Sequence, residues 1–105
     1  MNRVAIVSAK RTAIGSFGGS LKDVSAAKIG GDLVKHALES VNLDPNLVDE
    51  IIFGNVLQTG LGQNVARQIA VNAGIPKEKS AFVVNKVCGS GLKSVVLGVQ
   101  SIMVG

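Results

Sequence analysis

One cysteine occurs in the 105 residues, and its neighbours set it where a thiol can do chemistry. Cys88 lies in Asn85-Lys86-Val87-Cys88-Gly89-Ser90-Gly91-Leu92-Lys93, between the apolar run Ala81-Phe82-Val83-Val84 and a long apolar stretch that begins at Leu92. The thiolate is the nucleophilic form of cysteine, and the unpaired N–H groups and partial positive charge of a helix N-terminus favour it. Gly89 and Gly91 carry no Cβ, so the chain can turn sharply there and a reactant can come close to the backbone. A lone cysteine is otherwise a small buried hydrophobe. The residues alone leave both roles open, with the strand end before Cys88 and the glycines after it favouring a nucleophile.

Other chemistries are poorly supplied. His36 is the only imidazole and stands beside Lys35 on a helical pattern, which argues for a solvated face. One Cys and one His cannot build a zinc cluster or an internal disulfide. Gly15-Ser16-Phe17-Gly18-Gly19 lacks the Lys-Ser/Thr of a phosphate-binding loop. The net charge of +4 sets 11 Lys and Arg, scattered without a run, against 7 Asp and Glu, and there is no Trp or Tyr. Clustered charge and stacking aromatics, which nucleic-acid binders need, are both missing. The Cys88 segment has the strand-to-helix layout of a nucleophile elbow with Cys in place of Ser. It is not G-x-S-x-G about Ser90, because Cys88 stands two residues before it.

The elements that must position this segment alternate. Arg3–Ala9, with Val4, Ile6 and Val7, predicts a first strand. A Gly- and Ser-containing loop from Lys10 to Val24 precedes a helix over about Ala26–Val41, capped by Ser25, with Ile29, Leu33, Ala37, Leu38 and Val41 on one face. Asp49–Val56 predicts a second strand interrupted near Gly54. Asn64 caps a helix over Val65–Asn72, which ends at Ala73-Gly74 before Pro76. Ala81–Val84 is a short apolar run of the kind buried on both faces of a sheet. From Gly91 a third helix is apolar around nearly its whole circumference, with only Lys93, Ser94, Gln100 and Ser101 polar. Three strands and two helices cannot cover such a helix, so the chain reads as the truncated β-α-β-α-β-α part of one larger domain. No apolar run approaches bilayer length and no signal peptide precedes the first strand, which predicts a reducing, cytoplasmic setting.

The Cys88 segment resembles the nucleophile segment of the thiolases. Gly54-Asn55-Val56-Leu57-Gln58 with Gly60, Gly62-Gln63-Asn64 and Ala66-Arg67-Gln68 resembles the loop and helix that precede it in that family. Val7-Ser8-Ala9-Lys10-Arg11-Thr12-Ala13-Ile14-Gly15 with Phe17-Gly18-Gly19 makes a third match. The three stand in the family's order and together span almost the whole chain. Val65 is a departure, since many relatives place Pro there, a residue favoured at the first helical position and not required.

The resemblance implies an α/β, thiolase-like layered αβαβα fold, of which residues 1–105 are the N-terminal part of the N-terminal domain. It implies an acetyl-CoA acetyltransferase: Cys88 takes the acyl group from an acyl-CoA thioester and passes it to the carbanion of a second acetyl-CoA, or runs the reverse thiolysis. By the same resemblance the backbone N–H of Cys88 is an oxyanion donor. The base, the second cysteine and most coenzyme A contacts belong to a C-terminal half, so the activity is expected only with that half. Coenzyme A thioesters are substrates and no cofactor is permanently bound. No metal, nucleic acid or membrane is implied, and dimers or tetramers are. Gln63 and Asn64 resemble a loop near the family's dimer interface, while a helix cap and solvated turn account for them equally well. Alternatives are a longer-chain 3-ketoacyl-CoA thiolase and an inactive fragment that acts by association.

Overall fold

The computed structural model describes residues 1–105. Helix α1 (Ala26–Glu39) starts where the Ser25 hydroxyl accepts the Lys28 N–H at 3.1 Å. It stops near Asn42, whose φ of +52° is a left-handed conformation that ends helices. A 3-10 turn at Pro45–Leu47, capped by Asp44, leads into strand β1 (Glu50–Gly54). Helix α2 (Val65–Asn72) then crosses to strand β2 (Ser80–Val84), which pairs parallel to β1 with Ile52 opposite Phe82 and Gly54 opposite Val84. Helix α3 (Ser90–Val104) closes the order.

The core is small and centred on α2. Ile51, Val65, Ala66, Ile69, Ala70 and Ile75 are buried together, with Phe53, Ala81 and Val83 packed on them from the strands. The end of α2 is fixed by backbone geometry: Gly74 has a φ of +82°, its N–H bonds to the Val71 carbonyl, and the Ile75 N–H reaches the Ala70 carbonyl at 2.9 Å. Helices α1 and α2 meet through the adjacent Gly30 and Gly31, both buried. A Cβ on Gly31 would lie 2.5 Å from the Asn72 Cβ.

Two expectations are corrected. Arg3–Ala9 is not a strand: the two-stranded sheet pairs only β1 with β2, and this β-favouring run makes no ladder to either. Its ties are side-chain bonds, from Asn2 Nδ2 to the Ile102 carbonyl at 3.0 Å and between the Ser8 and Ser40 hydroxyls at 3.3 Å, and Ile6 and Val7 are exposed. Strand β2 is not buried on both faces either: Ala81 and Val83 pack on the core around α2, while Phe82, on the other face, is exposed.

Helix α3 is far from covered. Ser90 is its only buried residue, and Leu92, Val95, Ile102 and Val104 are exposed. The accessible surface of 7362 Å² exceeds by about a third the ~5,500 Å² of a compact monomer of this mass. The stretch Val87–Val104 has a mean hydropathy of 1.5 and qualifies as a candidate membrane span by composition. Its 15 helical residues reach about 22 Å, short of a hydrocarbon core of about 30 Å.

The close crossing of α1 and α2 yields a test. Gly31→Ala gains about 1 kcal/mol of helix propensity and loses about 1–3 kcal/mol to the forced separation. A net loss of stability in urea unfolding is expected, whereas a net gain would show that the helices can part without cost.

Candidate active site

Cys88 stands one residue before Gly89, the N-cap of α3, in a turn of five residues that leaves the end of β2. The turn is held by its own polar groups. Asn85 Oδ1 accepts the Val87 N–H at 3.0 Å, and the Gly89 N–H reaches the Lys86 carbonyl at 3.0 Å. The Ser90 hydroxyl accepts the Lys86 N–H at 2.8 Å and donates to the Val87 carbonyl at 2.6 Å. These bonds hold Val87 at a φ of +47°, a left-handed conformation that strains a β-branched residue by about 1–3 kcal/mol.

Behind the turn lies the end of β1. A Cβ built on Gly54 would come within 2.4 Å of the Ser90 carbonyl carbon and 2.5 Å of the Gly91 nitrogen. Only glycine permits this approach, so the first turn of α3 rests directly on strand backbone. Asn55 and Asn85 extend the seam: the Asn55 N–H bonds to the Val84 carbonyl at 3.1 Å, and Asn85 Nδ2 to the Val56 carbonyl at 3.4 Å.

One backbone donor of the turn is left over. Among Lys86, Val87, Cys88, Gly89 and Ser90, only the Cys88 N–H has no acceptor within the chain. No acidic residue lies in the first turn of α3 to offset the positive helix end. Cys88 is free and exposed. Neither of the two cavities contains it: one of about 600 Å³ lies between β1 and the later turns of α3, and one of about 310 Å³ lies among α1, α2 and β1. The turn presents a thiol and an unpaired N–H on an open surface, suited to attack on a carbonyl brought by another surface.

A model of the family described as "Thiolase, N-terminal domain" matches residues 4–105. The chain belongs to the thiolase family. It is 54% identical over 102 residues to the acetyl-CoA acetyltransferase of Syntrophomonas wolfei, covering 97% of this chain and 26% of that protein. It is 52% identical over 105 residues to a probable acetyl-CoA acyltransferase of Staphylococcus aureus, covering all of this chain and 27% of that protein. Among solved structures, the thiolase of Ascaris suum in complex with coenzyme A superposes with a TM-score of 0.91 at 44% identity, over 93% of this chain and 26% of that one. The α/β fold is therefore thiolase-like, and the chain spans about a quarter of the length of these relatives.

The other residues singled out in the thiolase motifs have structural work. Asn64, at a φ of +44°, accepts the Arg67 N–H at 3.1 Å and donates to the Ala81 carbonyl at 2.9 Å, tying the start of α2 to β2. Gln68 donates to the carbonyls of Leu61 and Gln63, which shapes the glycine-rich loop ahead of the helix. Arg67 donates to the Lys79 carbonyl, while its buried Nη1 has no partner. His36 is exposed in the last turn of α1. Sequence reasoning missed Gly54, Ser90 and the Asn85 turn as the support of Cys88. The signals were a glycine at a strand end and a serine at the first helical position.

Two substitutions test this geometry. Gly54→Ala is expected to cost about 1–3 kcal/mol by displacing backbone, whereas Gly91→Ala, whose Cβ would meet nothing within 4 Å, is near neutral. Equal melting temperatures for the two variants would contradict the close packing. Asn64→Ala removes a cap and a tie to β2 and is expected to cost about 1–2 kcal/mol with association unchanged. Unchanged stability with lost association would instead assign Asn64 to an interface.

Proposed function

We propose that the chain supplies the nucleophile of an acetyl-CoA acetyltransferase, with Cys88 as the residue that carries the acyl group. The observation that carries the reading is the exposed thiol one residue before the N-cap of α3, beside its own unpaired N–H. In the first step the Cys88 sulfur attacks the thioester carbonyl of acetyl-CoA. The new S–C bond forms, the bond to the coenzyme A sulfur breaks, and coenzyme A leaves as the thiol with the proton given up by Cys88. In the second step a carbanion formed by loss of a proton from another acetyl-CoA attacks the acyl-enzyme. A C–C bond forms, the Cys88 S–C bond breaks, and acetoacetyl-CoA departs as Cys88 recovers a proton. Splitting the condensation this way replaces one difficult step with two easier ones. The Cys88 N–H serves as an oxyanion donor, a group worth several kcal/mol when fixed before charge develops.

The proton transfers require a base and an acid, which this reading assigns to a C-terminal half of the kind the longer relatives possess. The same half would cover the exposed face of α3, and dimers or tetramers in the cytoplasm are the assembly and setting proposed. Coenzyme A thioesters as substrates draw support from the relatives' names and from the coenzyme A bound by the Ascaris suum thiolase. Longer acyl chains are the enzymatic alternative, separated by assaying a series of acyl lengths. The apolar surface of α3 favours a second reading, in which these 105 residues act only by association. A compact monomer on size-exclusion chromatography would remove that reading.

The test of the first reading is Cys88→Ala in an enzyme of the relatives' full length. Thiolysis of acetoacetyl-CoA is expected to fall by about 10⁴-fold or more, the loss typical of removing a covalent nucleophile. Persistence at the wild-type rate would refute the assignment.

A further inference from the structure

We infer that Ser90 is a positioning residue for the Cys88 nucleophile, an inference that rests on the reading of Cys88 given above. Ser90 is the only polar side chain in the buried set, at 3% exposure, and it stands at the first helical position of α3, not at the N-cap. The cap position is Gly89, which has no side chain to offer. The Ser90 hydroxyl turns back and bridges the two residues before Cys88, accepting from the Lys86 N–H and donating to the Val87 carbonyl. The Ser90 backbone N–H adds a bond to the same Val87 carbonyl at 3.1 Å. One residue thus makes three of the bonds that close the turn, and Cys88 projects from the ring they form.

Two further observations make this ring consequential. Val87 is held at a φ of +47°, which a β-branched residue keeps only where its surroundings over-determine it. Gly54 lies against the Ser90 carbonyl and the Gly91 nitrogen, so the hydroxyl works from a fixed anchor on β1. Without the hydroxyl, the Lys86 N–H loses its acceptor and the Val87 carbonyl loses the shorter of its two donors. Val87 can then relax to a negative φ, which reorients the peptide that carries the Cys88 N–H. The effect of Ser90 therefore falls on the rate at which Cys88 is acylated and not on acyl-CoA binding, and Ser90 itself touches no substrate.

The experiment compares wild type, Ser90→Ala and Cys88→Ala in the full-length enzyme. Single-turnover acylation by acetyl-CoA is followed beside the steady-state split of kcat and KM, with melting temperature as the control for folding. Ser90→Ala is expected to acylate at least tenfold more slowly with KM for acetyl-CoA within twofold of wild type. Acylation within twofold of wild type, or a loss that only tracks the unfolded fraction, overturns the inference while an inactive Cys88→Ala leaves the nucleophile intact. An active Cys88→Ala overturns the nucleophile and this inference with it. Amide hydrogen exchange in the wild-type enzyme keeps the question decidable should Ser90→Ala not fold. At least tenfold protection of the Lys86 N–H over its unfolded rate is expected, and exchange at the unfolded rate overturns the role of the hydroxyl.

Discussion

The absence of a side chain on Gly54 is the constraint on which the site depends. Gly54 pairs with Val84 at the shared end of the two strands, and only the turn through Asn85, Lys86, Val87, Cys88 and Gly89 separates Val84 from α3. The chain must therefore turn within a few residues and set its next helix over the end of the neighbouring strand β1. Room for that helix exists because Gly54 lets the Ser90–Gly91 backbone approach to a distance no Cβ would permit. The strain falls on Val87, and the Asn85 and Ser90 side chains hold it there.

That arrangement explains how a small core can fix a reactive group. The buried cluster around α2 holds β1 and β2 in parallel register, and the register fixes the position of Gly54 relative to the turn. Cys88 gains its placement from the backbone and polar bonds of the turn, since the apolar residues beside it, Val87 and Leu92, are exposed. The turn closes on its own hydrogen bonds, and the exposed Cys88 has the one N–H they leave unpaired. Binding surface is what this part of the thiolase fold lacks near the sulfur, since both cavities lie elsewhere. The exposed apolar flank of α3 is the complementary fact: this apolar helix begins at the Cys88 turn, so covering the helix and enclosing the thiol are parts of one packing problem.

Much of this was legible in the residues. Asn64 and Ala73-Gly74 mark both ends of α2 because caps are local chemistry, and the structure places the helix at Val65–Asn72 as the sequence predicts. The all-round apolar third helix and the strand-to-helix position of Cys88 were equally readable, since periodicity and order reveal them. What local pattern could not reveal was contact between distant backbones. The buried Gly30 and Gly31 let α1 approach α2, and Gly54, which read as an interruption of a strand, is the seat of α3. Nothing local says that the Ser90 hydroxyl turns back to the Lys86 N–H and the Val87 carbonyl. Arg3–Ala9 has the composition of a strand, but composition supplies no ladder partner, and in this chain it makes none.

The central claim is that Cys88, held by this turn, forms a covalent bond to the acyl group. The most direct measurement is rapid acid quenching of the full-length enzyme with acetyl-CoA, followed by proteolysis and mass spectrometry of the peptides. One acetyl group on the peptide that contains Cys88, formed at least as fast as turnover, is the predicted result. An acetyl group on a different residue, or turnover with no adduct at Cys88, would contradict the account.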